Sequence, residues 1–239
     1  MRRYYRRVDS GVIVVGAILV AAVVRVAYRG LFGDDARIRR ALGRRPSVRI
    51  SDAKDGEVRL TGTIHPAGEL LHAPVTQRPC AGYKVIVEVR ATDGWERVID
   101  LEDARPFKLV DESGEALVDT AAGPFALALV PDRRGTNPVR QSAEGGDIRA
   151  VRSLLNSADI ATTDLMDSPK KFRYREAVLL PGRRASVGGI GAREVTPDGQ
   201  RTGRREPPQR FVVRGTADSP LLVSDRGDAG PGRPGPFRK

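Results

Sequence analysis

Short runs of alternating apolar and polar residues dominate the middle of this chain. Tyr83–Ala91, YKVIVEVRA, sets Val85, Val87 and Val89 against Lys84, Glu88 and Arg90, the period of a strand. Thr92-Asp93-Gly94 turns it back into a second strand, Trp95–Leu101. An exposed edge as apolar as KVIVEV invites aggregation, so this strand is expected inside a sheet. Val48–Ile50 and Glu57–Ile64 alternate on either side of a turn at Asp52–Gly56, with Gly62 read as a bulge. Phe107–Asp119 reads as a hairpin turning at Asp111–Gly114. Phe125–Val130 is apolar throughout, as an inner strand is. His65–Pro79 and Pro131–Gly146 carry the proline, glycine and polar content of loops. Lys171–Val187 predicts another hairpin around Pro181-Gly182, continued by a glycine-softened strand to Arg193. A loop over Thr196–Gln209 leads to the last strands, Arg210–Arg214 and Pro220–Ser224.

Two stretches follow a helical period instead. In Asp147–Ile160, Ile148, Val151, Leu154 and Leu155 share a face, with Asp147 as the expected cap. In Asp34–Arg45, Ile38 and Leu42 lie four apart, and Gly43 and Pro46 end the segment. The sum is a mainly β fold, a small barrel or sandwich with one inserted helix, over residues 47–225.

Gly11–Tyr28 departs from both patterns. From Gly11 to Val24 it holds no charge and no proline. Eighteen helical residues rise about 27 Å, close to a hydrocarbon core of about 30 Å. Arg25 can snorkel from the last turn, and Tyr4, Tyr5 and Tyr28 bracket the run as interfacial aromatics do. The rival reading is a cleaved signal peptide with Arg2, Arg3, Arg6 and Arg7 as its basic start. The basic segment that follows, without a small-residue cleavage site, favours a retained single-pass anchor. The chain then divides into a basic flank (1–10), a transmembrane helix (11–28), a basic juxtamembrane linker or helix (29–46), the β-rich domain (47–225) and a disordered tail (226–239). Arg29, Arg37, Arg39, Arg40, Arg44 and Arg45 outnumber the four N-terminal arginines, so the large domain is expected on the cytoplasmic side.

Charge sharpens this picture. The net charge is +11 over 239 residues. Residues 1–45 hold 11 Lys and Arg against 3 acids, residues 46–199 hold 21 against 23, and residues 200–239 hold 9 against 4. The excess sits in the flanks. Beside an apolar helix, Arg37, Arg39, Arg40, Arg44 and Arg45 are expected to meet anionic headgroups. With 5% aromatic residues, the chain lacks the stacking groups of a nucleic-acid platform.

Candidate chemistry is sparse. One cysteine makes no intramolecular disulfide. His65, His72 and Cys80 are spaced unlike any zinc motif, so neither metal nor cofactor is expected. Cys80 is the one candidate nucleophile, with His65 or His72 as base. The simpler reading makes Cys80 a small buried apolar residue at the start of a strand. Gly188-Gly189-x-Gly191 lacks the register of a phosphate loop and the lysine that would follow.

Read in order, several pieces resemble the GIDE, or beside-a-membrane (BAM), domain. Gly62, Ala73, Pro74, Arg78, Pro79, Cys80 and Tyr83 match its opening; Ile64 stands where valine is usual. Phe107, Leu109, Asp111, Gly114, Val118 and Asp119 match its centre. Glu176, Leu179, Pro181, Gly182, Val187 and Gly189 match its later stretch, and Pro220–Asp225 its close. The resemblance spans about residues 56 to 225. It implies a membrane-tethered domain of the kind found in RING-type ubiquitin ligases of the MULAN type, whose proposed role is contacting partners. A RING finger needs two sets of zinc ligands, and this chain has two histidines and one cysteine. Ligase chemistry is therefore not carried over. The leading expectation is a membrane-anchored, non-enzymatic module for an unidentified protein partner. The alternatives are a component of a ubiquitin-ligase-like (E3) system, a thiol enzyme using Cys80, and a lipid- or nucleic-acid-binding domain using the basic flanks.

Overall fold

A computed structural model describes residues 35–45, 47–137, 145–163, 169–195 and 209–226. The predicted anchor Gly11–Tyr28, the flank 1–10, most of the loop after Thr196 and the tail beyond Arg226 lie outside the described residues. Among the described residues no helix is long and apolar enough to cross a membrane.

The fold is mainly β. Its centre is a closed barrel of β1 (Gly56–Pro66), β6 (Phe107–Asp111), β7 (Gly114–Asp119), β11 (Arg184–Val195) and β12 (Gln209–Arg214). The strands pair in the order β1-β6-β7-β12-β11 and close through β1–β11. All pairs in the ring are antiparallel except β7–β12. Five strands in a Greek-key ring are the plan of OB-type barrels, a plan that names no ligand by itself. β13 (Leu221–Ser224) adds to β11, and β8 (Phe125–Ala128) pairs parallel with β13. Alternation explains the filling. Leu60, Ile64, Phe107, Leu109, Val118, Val187, Val213 and Leu221 point inward and are buried.

A second sheet is built from two insertions into the barrel, one between β1 and β6 and one between β7 and β11. It runs β5-β4-β10-β9, from β5 (Gly94–Ala104), β4 (Gly82–Ala91), β10 (Phe172–Leu179) and β9 (Arg133–Thr136). The KVIVEV strand is internal, as expected. On one face Val85, Val87, Val89, Ile99, Phe172 and Tyr174 pack against Ile148, Val151 and Leu155 of α2 (Gly146–Ser157). Asp147 does not cap that helix. Gly145 holds the cap position without a side-chain bond. Asp147 instead accepts from Tyr174 Oη at 3.0 Å and Arg133 Nε at 2.8 Å.

Further sequence expectations change: Gly62 pairs in unbroken register with Ala185 and forms no bulge. Lys171–Val187 is not a hairpin. β10 belongs to the second sheet and β11 to the barrel. Ala177 and Leu179 enter the barrel core, and the chain turns at Pro181-Gly182, where Gly182 has φ of 80°. A Pro-Gly turn fixes a reversal of direction and leaves the pairing partner open. Residues 48–50 form no strand: Ser47 bridges Arg59 singly, and Ile50 and Ala53 sit in the barrel core. Within the predicted loops stand β9 and the short pair β2 (Leu71–His72) and β3 (Pro79–Cys80).

The basic segment that follows the apolar stretch is a docked helix, α1 (Asp35–Arg44). Ile38 and Leu42 are fully buried against the β8–β13–β11 layer. Each contributes about 1.5–3 kcal/mol of burial. Leu42 and Arg45 lie over Gly188, where a Cβ would come 2.7 Å from Leu42 Cδ2. Gly189 and Gly191 likewise meet the Arg214 carbonyl and the Phe211 ring. The glycine cluster is a packing surface.

Candidate functional site

Nine of the motif positions gather around the C-terminal half of β10: Ala73, Pro74, Arg78, Pro79, Cys80, Tyr83, Glu176, Pro181 and Gly182. The Glu176 carboxylate, fully buried, accepts from the Val75 amide at 2.7 Å, from the Thr76 amide at 3.1 Å and from the Thr76 hydroxyl. A charged acceptor satisfies buried amides more strongly than a neutral one. It pins the loop that Pro74 enters and Gln77, at φ 57°, turns. Arg78 Nε reaches Thr76 Oγ1 at 3.2 Å, and Arg78 Nη2 lies 3.8 Å from Asp132. Asp132 also accepts from the Val178 amide at 3.1 Å and from Arg183 Nη1 at 3.3 Å, just past Pro181-Gly182. Pro79 pairs with His72 and Cys80 with Leu71. Tyr83 packs between the α2-side core and the small cluster of Ala73, Cys80 and Val178. The scattered carboxylate Glu176 is thus a structural clasp.

Cys80 is poorly placed as a nucleophile. Its side chain is fully buried, and burial, aided by the Glu176 charge, pushes its thiol up to about 11. A nucleophilic thiol needs the opposite shift. His65 and His72 are both exposed, whereas the sulfur is buried. Among the described residues no group of three His, Cys, Asp or Glu side chains could hold a metal ion.

The other motif positions shape the barrel. Phe107 fills its core. Burial pushes the Asp111 carboxyl up, but hydrogen bonds from the Ser113 hydroxyl and the Ile50, Ser113 and Gly114 amides outweigh it and hold the group below its ordinary value. These bonds join the β6–β7 turn to the Ile50 turn. Beside them lies an open groove of about 470 Å³, lined by Ile50, Lys108, Ser113, Arg193, Arg210 and Phe211 among others. Arg193 donates to the Ser51 and Ala53 carbonyls at 3.4 Å and stands 5.8 Å from the Phe211 ring centroid. Lys108 pairs with exposed Glu115 at 3.1 Å. Backbone turns and three cationic side chains in an open trough suit an extended polypeptide better than an enclosed small molecule. Sequence reasoning missed the trough. Its one visible signal is the arginines flanking Phe211 in RFVVR and Arg193 opposite them.

A buried ionic cluster fastens α1. Lys84 Nζ donates to Asp35 Oδ1 at 2.9 Å and to the Leu127 carbonyl at 3.1 Å, and lies 3.8 Å from Glu102 Oε2. Glu102 Oε1 accepts from the Leu127 amide at 2.6 Å. At the other end of α1, buried Arg59 donates to the Leu42 carbonyl at 3.4 Å, and Arg45 bonds Glu57 and Ser219. Of the arginines expected to meet headgroups, Arg37, Arg40 and Arg44 are exposed. Arg39 and Arg45 are half-buried, and Arg45 is held against the domain.

Compared with known protein families, with curated proteins and with solved structures, the chain matches none.

Proposed function

We propose that this chain is a membrane-tethered, non-enzymatic interaction module. The apolar segment Gly11–Tyr28 crosses the bilayer once, the β-rich body stands on the cytoplasmic side, and the groove beside Phe211 receives an extended segment of a partner protein. The observation that carries this reading is the docking of α1. Its first residue follows the apolar stretch by six residues, 29–34. Asp35, Ile38, Leu42 and Arg45 are all fastened to the body. A span ending at Tyr28 would therefore hold the body on a leash of about 20 Å at most. A leash that short suits a protein whose task is to present a surface at a membrane. The burial of Cys80 and its raised pKa weigh against the thiol-enzyme alternative.

A photo-crosslinking residue in place of Lys108, in the full chain in its native membrane, tests the reading. A small number of discrete crosslinked polypeptides is expected, absent when the crosslinker replaces exposed Ala121. Equal, diffuse labelling from both positions would remove the groove from the proposal.

A further inference from the structure

The second sheet has α2 on one face. Its other face is covered at one end by α1 and β8 and carries an arginine-rich surface at the other. Register fixes which side chains share this face: Arg90 and Trp95; Glu88, Arg97 and Arg173; Ile86, Asp100, Arg175 and Arg134. Five arginines stand against two carboxylates. Arg90, Arg97 and Arg134 are exposed. Glu88 lies 2.7 Å from Arg173 and 3.9 Å from Arg175, which leave 43% and 40% of their own side chains exposed. Asp100 bonds Arg97 at 3.2 Å. Trp95 lies under Arg173, with the guanidinium 4.6 Å from its ring centroid, and near Arg90 at 5.8 Å. The acids are spent on their neighbours, so the face is cationic with one flat aromatic.

The same face begins at Lys84, two residues before Ile86 on β4, and Lys84 holds Asp35. Asp35, the first residue of α1, is therefore fastened at the head of this face. From Lys84 to Arg90 the strand runs about 20 Å, and residues 29–34 span no more than about 20 Å.

We propose that this Arg–Trp face is the surface by which the body lies against an anionic lipid bilayer; the inference rests on the membrane-tethered reading above. Tryptophan and arginine are the side chains that settle at a bilayer interface, the ring at headgroup depth and the guanidinium on phosphate. Anionic headgroups attract each nearby cation by about fivefold in affinity. A tether leaving the head of the face raises the local lipid concentration, so weak contacts suffice. A nucleic-acid strand would want a series of stacking aromatics, and the face offers Trp95 alone.

Trp95 is the chain's only tryptophan, so its emission reports this face directly. The full chain is reconstituted into vesicles of one-third phosphatidylglycerol and two-thirds phosphatidylcholine, with and without a headgroup spin-labelled lipid. Quenching of Trp95 is expected, falling severalfold in pure phosphatidylcholine and in high salt. Arg90→Gln with Arg134→Gln, both exposed positions, should lower it similarly while circular dichroism stays unchanged. A second pair, Arg97→Gln with Arg134→Gln, which leaves the stack on Trp95 intact, should do the same. Unquenched emission from a chain that stays with the vesicles through carbonate overturns the face and leaves the tether standing. A chain that leaves the vesicles overturns both. A larger emission change with an oligonucleotide than with anionic lipid reassigns the face to nucleic acid.

Discussion

Replacing Lys84 by methionine should be among the most costly single changes outside the apolar core. The ammonium is 6% exposed and answers three acceptors: Asp35 Oδ1 at 2.9 Å, the Leu127 carbonyl at 3.1 Å and Glu102 Oε2 at 3.8 Å. Methionine keeps the stem and removes the charge. Glu102, 7% exposed, then faces the interior without its cation. Breaking one side of a buried pair costs about 3–5 kcal/mol. With about 2 kcal/mol per molar urea, the midpoint should fall by about 1.5–2.5 M. Trp95 emission of the detergent-solubilised full chain follows the transition. Glu102→Gln keeps an oxygen for the Leu127 amide and should cost less, about 1–3 kcal/mol. Asp35→Asn, at a side chain 33% exposed, should cost under about 1 kcal/mol. Yet hydrogen exchange in α1 should rise in Asp35→Asn, because that bond fixes the helix start. The order Lys84 over Glu102 over Asp35 is the test. A Lys84→Met midpoint within experimental error of the parent refutes the clamp.

Three further outcomes follow from other sites. The folded Cys80 thiol sits at about 11, above its ordinary value, so its contribution is whole below about pH 9 and is lost as pH rises through about 11; Cys80→Ala should flatten the stability loss between those limits in urea melts taken at stepped pH. Glu176→Gln offers an amide group where two backbone N–H donors and a hydroxyl need acceptors, and should cost about 1–3 kcal/mol and speed protease cutting within residues 73–78. Gly62→Ala would set a Cβ 2.5 Å from the Val110 carbonyl oxygen, where β1 leaves β11 for β6, and should cost about 1–3 kcal/mol by thermal melt.

How much of this was legible depended on whether local pattern fixes the partner. The β4–β5 and β6–β7 hairpins were readable, since alternation and a tight turn specify both strand and neighbour. α2 was readable from Ile148, Val151 and Leu155, although its cap was not, because Asp147 is drawn to Tyr174 and Arg133 across the sheet. β9, with sequence RRGT, has no apolar residue to signal a strand and exists because β10 offers it an edge. The β10–β11 misreading came from Pro181-Gly182, which reverses the chain without saying which sheet receives it. Lys84 and Glu102 alternate onto what reads as a solvent face; α1 and β8, distant in sequence, cover it. Glu176 looked isolated for the same reason, since its donors lie 100 and 101 residues away. The motif positions of the GIDE-like pattern were visible as a list, but their work as clasp, turn and core is tertiary. The Arg–Trp face was unreadable because its arginines come from four strands that only the sheet brings together.

Tethering to a membrane rests on the hydrophobic segment that precedes Asp35. Membranes from cells making the full chain are stripped with alkaline carbonate and spun, and the mass of the product is taken. An untrimmed polypeptide in the pellet is the expected result. Recovery in the supernatant, or a product cut before residue 35, would contradict it.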